Sequence, residues 1–305
     1  MDLRHGPHLP LCWAALTNSA RQVPAPEDLH DRCTEVRIPS PESQTAENSS
    51  PDMEVLVGDF DGRIALVTGS GRGIGRAIAV DLARGGARVI LVARSADQLA
   101  ETAAIVAGYG AASQAIPTDL GNEQQLESLL QKAGDVDILV NNAAVVAPLG
   151  ASASIDIDEW AAALQVNVVA AARLTFGVLP AMLRKGWGRI VNVSAVIAAQ
   201  PAMMVGMNAY ATSKAALEAH TLNMAAELSG SGVTVNVYRP GAVDTAIHEW
   251  IRAQEPERIG AELHSRFIRM QESGQLITPA ASARSMVDRL AQDITGQIWD
   301  VNDQV

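Results

Sequence analysis

The sequence predicts an α/β protein built on a doubly wound parallel sheet. Short apolar segments alternate with longer helical segments along most of the chain. The segments 138–140 and 190–193 lack a polar face, as expected of strands that helices cover on both sides. A glycine-rich turn joins the first apolar segment to the first helix, as in a βαβ unit.

We expect strands and helices to alternate from one end of this region to the other. The strands are predicted near 63–68, 88–93, 114–118, 136–140, 189–194, 233–238 and 296–301. The helices are predicted near 74–85, 96–107, 122–133, 157–184, 208–229 and 279–292. In such a sheet the functional groups gather at the carboxyl ends of the strands.

The first βαβ unit indicates a nucleotide site. A β-branched run, 63–67, leads into Thr68-Gly69-Ser70-Gly71-Arg72-Gly73-Ile74-Gly75, and a second apolar run follows at 88–92. Apolar residues at helical spacing lie between them: Ile74, Ala77, Ile78 and Leu82. Backbone N–H groups and the dipole at a helix start favour phosphate. The unit therefore predicts dinucleotide binding, because glycines let a pyrophosphate approach the backbone.

Composition divides the chain into a single folded domain, 56–305, and an N-terminal extension, 1–55. The extension contains seven prolines, many serines and charged residues, and no periodic apolar pattern. We expect it to be disordered, since it cannot bury enough apolar surface. One interpretation is that the natural protein begins at Met53.

Several classes of function are excluded by composition. Both cysteines, Cys12 and Cys33, fall in the extension, so we expect no disulfide framework, thiol nucleophile or metal site in the domain, and a cytoplasmic location. A formal net charge of -11 without a basic stripe argues against nucleic acid as a partner. The apolar stretch 168–183 is interrupted by Arg173 and Pro180, so we expect no membrane span.

The segment Tyr210-Ala211-Thr212-Ser213-Lys214 sets a phenol and an ammonium one helical turn apart. A free phenol titrates at about pH 10, so proton exchange at neutral pH needs a cation that stabilises the phenolate. Lys214 is placed to be that cation. The alternative interpretation is a surface contact between two amphipathic side chains.

Taken together, these motifs resemble the classical short-chain dehydrogenase/reductase family. Its cofactor pattern, Thr-Gly, three residues and then Gly-x-Gly, is met at Thr68, Gly69, Gly73 and Gly75. Further matches are Asp119, Asn141-Asn142-Ala143-Ala144, Asn167, Tyr210, Lys214, Pro240-Gly241 and Thr245, with Ala144 in place of the usual glycine. The resemblance covers 63 to about 300 and implies a Rossmann domain that oxidises or reduces a small-molecule alcohol or carbonyl substrate.

The resemblance also implies roles for individual residues. Tyr210 is expected to exchange a proton with the substrate oxygen, Lys214 to lower the phenol pKa and bind the nicotinamide ribose, and Asn167 to hold a relay water. The alternative for Asn167 is an ordinary asparagine inside a helix. The alternative for Asp119 is that its side chain caps the next helix. The expected cofactor residues are Gly69, Ser70, Arg72, Gly73, Ile74, Gly75, Arg94, Asp119, Asn142, Tyr210, Lys214, Pro240, Gly241, Val243 and Thr245.

Charge at the second strand favours NADP over NAD. An acidic residue there would accept from the ribose 2'-hydroxyl, whereas the NADP phosphate requires a cation. The strand ends in Ala93-Arg94-Ser95, without an acid, and the family places Arg72 against the same phosphate. The alternative is that Arg94 is only a solvated loop residue.

The position of the family's catalytic serine holds Ala195, in the run Asn192-Val193-Ser194-Ala195. Ser194 is the predicted substitute, but only if the strand has ended or bulged there, since neighbouring strand residues face opposite ways. Alternatively, Asn208 or a water donates the hydrogen bond to the substrate oxygen, or Tyr210 alone does so. The rival function is an NADP-binding scaffold or sensor with weak or no turnover.

The segment 246–277 is expected to form a lid over the nicotinamide. Its apolar residues favour a lipophilic substrate, or else they pack the lid on the body. They are Trp250, Ile251, Ile259, Leu263, Phe267 and Met270. A β-ketoacyl thioester, a quinone, a steroid-like ketone and a small aliphatic ketone stay open. Alanine-rich helices near 157–184 and 208–229 predict a homodimer or homotetramer, because the family pairs subunits through the equivalent helices.

Overall fold

A computed structural model describes residues 59–303. The predicted disordered extension, 1–55, lies outside the described residues, together with both cysteines and Met53. The described residues form seven strands, β1 to β7, and ten α-helices, α1 to α10.

The elements follow the predicted alternation. The strands are β1 Ile64–Thr68, β2 Arg88–Ala93, β3 Ser113–Pro117, β4 Ile138–Asn141, β5 Gly188–Val193, β6 Val233–Arg239 and β7 Ile298–Asp300. The helices are α1 Gly73–Arg84, α2 Ala96–Ala107, α3 Glu123–Ala133, α4 Ile157–Leu164, α5 Ala170–Lys185, α6 Asn208–Glu227, α7 Ala246–Arg252, α8 Pro256–Ile259, α9 Ala261–Glu272 and α10 Pro279–Leu290. Short 3-10 turns cover Ser152–Ser154, Val196–Ala198 and Pro201–Met203.

All seven strands pair in parallel, in the order β3-β2-β1-β4-β5-β6-β7. The predicted doubly wound sheet is therefore confirmed. The chain winds outward in one direction from β1 and in the other from β4, so the switch point lies between these two strands. In sheets of this kind a ligand binds in the crevice at that point.

Helices cover both faces of the sheet, which is why its central strands lack a polar side. Along β1, Leu66 faces one apolar cluster, and its neighbours Ala65 and Val67 face the other. The cluster around Leu66 includes residues of α3, α5 and α6, and the cluster on the opposite face includes residues of α1 and α10. The carboxyl edge of the sheet is left for function.

The predicted helix 157–184 is not one regular helix. It divides into α4, a π-helical turn at Gln165–Val169 and α5. The wider π turn brings the carboxamide of Asn167 to the backbone of Val145, with which it forms two hydrogen bonds. Single π turns inside helices frequently occur at functional sites.

The same stretch, Ile157–Lys185, is long and apolar enough to cross a membrane by length and composition alone. Core helices of soluble proteins pass the same test, so the expectation of no membrane span stays a prediction. In this structure Leu174, Val178 and Met182 of α5 lie fully or almost fully buried against the sheet. The inward face of α5 thus belongs to the protein core.

Three short helices, α7 to α9, occupy the predicted lid segment. Their buried residues Ile251, Ile259, Leu263 and Phe267 form an apolar cluster with Val146, Leu149, Ile197 and Met207. These four apolar residues therefore pack the lid on the body, whereas Trp250 is exposed and Met270 lies outside the cluster. This is the second of the two interpretations of the pattern.

A buried ladder of amides and hydroxyls joins the two strands that carry the site. Asn141 of β4 donates from Nδ2 to Asn192 Oδ1 of β5 at 2.8 Å, and Asn192 donates to Thr221 Oγ1 of α6 at 2.8 Å. Asn141 also contacts Thr175 of α5 at 3.2 Å. The ladder fixes α5 and α6 relative to the strand ends, and sequence analysis did not predict it.

Two residues of α2 provide a test of this packing. Leu99 is fully buried, whereas Ile105 is 41% exposed. We expect Leu99→Ala to lower the free energy of unfolding by about 2–5 kcal/mol, because it leaves a cavity. The control Ile105→Ala should cost less than about 1 kcal/mol. Urea unfolding measures both, and equal losses would contradict the described packing of α2.

Candidate active site

A cleft of about 520 Å³ opens at the carboxyl edge of the sheet. Its walls come from the glycine turn, the ends of β2 to β6, the start of α6 and the loop before α7. The cleft is lined by these predicted residues: Gly69, Arg72, Gly73, Ile74, Gly75, Arg94, Asp119, Asn142, Ser194, Tyr210, Lys214, Pro240 and Thr245. The structure therefore brings the predicted cofactor and proton-transfer residues together at the switch point.

Four predicted residues stand behind the cleft wall: Ser70, Asn167, Gly241 and Val243. The Ser70 hydroxyl accepts from the backbone N–H of Val92 at 2.8 Å and so ties the glycine turn to β2. Val243 is buried and pairs with Ile277. Direct cofactor contacts by Ser70, Gly241 and Val243 stay predictions.

The glycine turn has no room for side chains. Gly69 and Gly73 have φ values of +68° and +57°, a conformation that glycine favours. A Cβ on Gly75 would lie 2.4 Å from Gly69 O and 2.4 Å from Asn142 Nδ2. Arg76, which sequence analysis did not predict, donates from Nε to Gly71 O at 3.0 Å and holds the turn from outside.

Asn142 joins the two strands at the switch point. Its Nδ2 donates to Thr68 O at 2.8 Å, and the Thr68 hydroxyl accepts from the N–H groups of Asn142 and Ala143 at 3.0 Å each. The carboxamide of Asn142 therefore fixes the turn after β1 to the segment after β4. Its predicted contact with adenosine stays a prediction.

The residues at this end of the cleft fit a dinucleotide phosphate. No side chain caps the start of α1, so its first N–H groups are left to an anion. Arg72 and Arg94 are exposed side chains that line the cleft. Neither guanidinium forms an ion pair with any residue between 59 and 303. A cradle of backbone donors beside two cations suits a phosphorylated cofactor.

Asp119 is exposed and follows β3, the strand that pairs with β2. Its Oδ1 accepts from the N–H of Gly121 at 2.9 Å. The N-cap of α3 is Asn122, whose side chain accepts from Gln125 N at 3.1 Å. The alternative that Asp119 caps the next helix is therefore wrong.

Several lining residues were not among the predicted site residues, although Gly71, Ala143 and Ala144 belong to motifs that were recognised. The others are Ala93, Ser95, Gln98, Thr118, Leu120, Val145, Val166, Val193, Ala246 and Ile247. Some of them follow the ends of β3 and β4, where the alternation of strands could have located them. Others, such as Gln98 and Val166, belong to helices or turns that reach the cleft only through tertiary packing.

Tyr210 and Lys214 line the same cleft from the first turns of α6. Lys214 is 2% exposed, and its Nζ donates to the carbonyl of Val193, at the end of β5, at 2.7 Å. The Nζ lies 5.6 Å from the centroid of the Tyr210 ring. The two groups share one helix face, as their spacing predicts.

The pKa values of this pair differ from the sequence prediction. Burial raises the pKa of Tyr210 to about 12, although part of the side chain is exposed. Burial lowers the pKa of Lys214 to about 8, and the carboxylate of Glu218 acts in the opposite direction. The direction is opposite to the predicted one, because desolvation by burial is the cause that acts on the phenol pKa. The predicted effect of the Lys214 cation on this phenol stays a prediction. At neutral pH both groups hold their protons.

The carboxamide of Asn167 forms hydrogen bonds close to Tyr210 and Lys214. Its Oδ1 accepts from Val145 N and its Nδ2 donates to Val145 O, both at 2.8 Å. Its Nδ2 also contacts Ser213 Oγ at 3.0 Å, and Ser213 donates to Tyr210 O at 2.8 Å. Asn167 thus holds the segment after β4 against the start of α6. The relay water stays a prediction.

Ser194 follows the last residue of β5, so the strand has ended where the prediction requires it. Its hydroxyl is buried and donates to Glu218 Oε1 at 2.8 Å. Ala195 is half-buried and packs in the apolar cluster that includes part of Tyr210. Asn208, the other suggested donor, accepts from Trp160 Nε1 at 2.9 Å.

Known proteins share sequence similarity with this chain. The model of the short chain dehydrogenase family matches residues 63–256. The rhamnolipids biosynthesis 3-oxoacyl-[acyl-carrier-protein] reductase of Pseudomonas aeruginosa is 37% identical over 250 residues, which cover 79% of this chain and 95% of the relative.

Two solved structures have a similar fold. One is a putative NAD(P) dependent gluconate 5-dehydrogenase from Beutenbergia cavernae with bound NADP. It superposes with a TM-score of 0.71 at 33% identity, and the match covers 81% of this chain and 97% of the dehydrogenase. An NAD+-bound xylitol dehydrogenase superposes with a TM-score of 0.70 at 25% identity, over 79% and 98%.

The glycine cradle gives a direct test of the site. We expect Gly75→Ala to weaken NADPH binding about tenfold or more, because its Cβ would push the turn and Asn142 apart. The matched control is Gly121→Ala, whose Cβ would come no closer than 3.4 Å to its neighbours. Fluorescence titration with NADPH measures both affinities. Unchanged binding by Gly75→Ala would contradict this assignment of the cradle.

Proposed function

The chain belongs to the short-chain dehydrogenase family, and we propose that it reduces carbonyl groups with NADP(H), using Tyr210 as the proton donor. The observation that supports this function is a protonated phenol in the wall of the cleft that also contains the glycine turn. Lys214, charged at neutral pH and on the same helix face, provides the matching cation.

The proposed chemistry is a coupled transfer of hydride and proton. When bound, the cofactor supplies the hydride from its nicotinamide. Tyr210 donates its phenolic proton to the carbonyl oxygen as negative charge develops there. Lys214 stabilises the phenolate that remains, because its buried ammonium lies 5.6 Å from the centroid of the Tyr210 ring.

The protonation state of Tyr210 favours reduction at neutral pH. Burial keeps the phenol protonated there, and donation to a carbonyl oxygen needs the protonated form. Oxidation of an alcohol would require the phenolate as a base, which this environment disfavours. We therefore propose that carbonyl reduction is the faster direction at neutral pH.

The preference for NADP is proposed from the two cations of the cleft. Arg94 follows β2 and Arg72 lies in the glycine turn, so both are suited to a 2'-phosphate. The structural neighbours include an NADP-bound and an NAD+-bound protein, so similarity alone leaves the choice open. The absence of an acid after β2 supports NADP.

The substrate is proposed to be uncharged around its carbonyl. Val145, Val166 and Ile247 line the cleft, and Tyr210 packs partly in the apolar lid cluster. A 3-oxoacyl thioester is the first compound to test, because the relative from Pseudomonas aeruginosa is a 3-oxoacyl-[acyl-carrier-protein] reductase. Quinones, steroid-like ketones and small aliphatic ketones complete the panel.

Assembly is a further part of the proposal. Phe176 of α5 is 57% exposed and meets His220 of α6 edge to face, with ring centroids 5.7 Å apart. This exposed aromatic contact on the two long helices supports a homodimer or homotetramer. Sedimentation velocity on the full chain tests the assembly, and a monomer alone would contradict it.

Ala195 is the observation that favours the rival function, an NADP-binding scaffold or sensor with weak or no turnover. Ser194 cannot serve the substrate while its hydroxyl is bound to Glu218. Loss of one oxyanion donor costs about 10² to 10³ in rate. The scaffold predicts NADPH binding without reduction of any carbonyl in the panel.

Three variants test the proton-transfer proposal. Tyr210→Phe should lower kcat by about 10² or more, because the general acid is lost. Ala195→Ser should raise kcat about tenfold or more, because it restores a donor to the substrate oxygen. Ser194→Ala should change kcat much less than Tyr210→Phe. NADPH consumption measures all three, and full activity of Tyr210→Phe would refute the mechanism. A collapse of activity in Ser194→Ala would instead assign the serine role to Ser194.

The cofactor preference has its own test. We expect the double variant Arg72→Ala, Arg94→Ala to lower the ratio of kcat/KM for NADPH to that for NADH about tenfold or more, since two cations facing one phosphate are lost. Arg88→Ala is the matched control, because Arg88 is exposed at the opposite end of β2. A wild-type preference for NADH would overturn the assignment.

A further inference from the structure

A third member of the helix face that carries Tyr210 and Lys214 is Glu218, one turn further along α6. Glu218 is buried, at 8% exposure. Its Oε1 accepts from Ser194 Oγ at 2.8 Å and from Arg239 Nε at 2.9 Å, and its Oε2 accepts from Arg239 Nη2 at 2.7 Å. A two-point ion pair of this kind fixes the direction of both side chains.

These contacts fasten the start of α6 to the strand ends. Lys214 binds the carbonyl of Val193, and Glu218 binds the hydroxyl of Ser194, the next residue. Arg239, the last residue of β6, joins Glu218 from the other side. The helix therefore holds the last residue of β5, the residue that follows it and the last residue of β6.

The charged groups that face Lys214 are few. On α6 they are Tyr210, which is neutral at physiological pH, and Glu218. The end of β6 contributes Arg239, which acts through its ion pair with Glu218. The end of β5, the π turn Gln165–Val169 and the turn Val196–Ala198 carry no charged side chain towards it. Glu218 is thus the only carboxylate among the described residues that raises the pKa of Lys214.

We propose that Glu218 is a positioning residue for the reaction: its ion pair with Arg239 sets the fraction of Lys214 that is protonated, and its bond to Ser194 turns that hydroxyl away from the substrate. The catalytic consequence rests on the proposed function. The effect on the charge of Lys214 does not, and it can be measured without turnover.

The composition of the chain makes that measurement direct. The sequence contains three lysines, Lys132, Lys185 and Lys214. Lys132 and Lys185 are exposed and serve as internal references. Protein labelled with lysine carrying ¹³C at Cε gives one signal for each, and the signal missing from Lys214→Arg assigns the buried one. A pH titration of the full chain then reports the protonation of Lys214.

Opposite changes to the ion pair should move this titration in opposite directions. In Glu218→Gln the midpoint of Lys214 should fall by about half a pH unit or more, because the stabilising carboxylate is gone. In the matched variant Arg239→Gln it should rise, because a nearby cation is removed and the carboxylate of Glu218 is no longer paired with it. Thermal unfolding confirms that both variants fold. If Glu218→Gln does not fold, Glu218→Asp replaces it, with a smaller fall.

An unchanged midpoint for Lys214 in a folded Glu218 variant would overturn the inference. A midpoint that moves the same way in both variants would also overturn it, since a general loosening of the site would explain that result. In turnover, the pH above which kcat declines should follow the midpoint of Lys214 in each variant. If the wild type reduces no carbonyl, the proposed function fails, whereas the titration still decides the role of Glu218.

Discussion

The site depends on the register of α6 against the carboxyl end of β5. One hydrogen bond fixes this register, from the buried ammonium of Lys214 to the carbonyl of Val193, at 2.7 Å. Because residues four apart share a helix face, the same register places Tyr210 towards the cleft and Glu218 towards the strand ends. A shift of one residue along the helix would remove all three from their partners.

Burying this pair has an electrostatic consequence. Desolvation raises the pKa of Tyr210 to about 12 and lowers that of Lys214 to about 8, so each group is held closer to its neutral form. Lys214 therefore loses its proton more easily than usual, and Tyr210 loses its proton less easily. Charged groups close to the pair then affect how much of each is protonated. The Glu218–Arg239 pair is the nearest source of such charge in the described residues, which connects a structural ion pair to the chemistry of the cleft.

Asparagines supply much of the rigidity around this pair. Asn142 joins β1 to the segment after β4, Asn167 joins that segment to α6, and Asn141 joins β4 to β5. Each uses its carboxamide to satisfy backbone or side-chain groups where regular pairing ends. The cleft is therefore held open by polar contacts behind its lining. Removing any of these amides would change its shape as well as its chemistry.

The order of the seven strands, the glycine turn and the spacing of Tyr210 and Lys214 could be predicted, because they depend on local periodicity and on residues close in the chain. The three helices of the lid were not predicted. Tertiary structure alone decided the π turn at Asn167, the commitment of Ser194 to Glu218 and the pKa of Tyr210. Each of these depends on contacts between residues far apart in sequence. Burial and hydrogen-bond competition set them, and neither can be read from the spacing of residues along a chain.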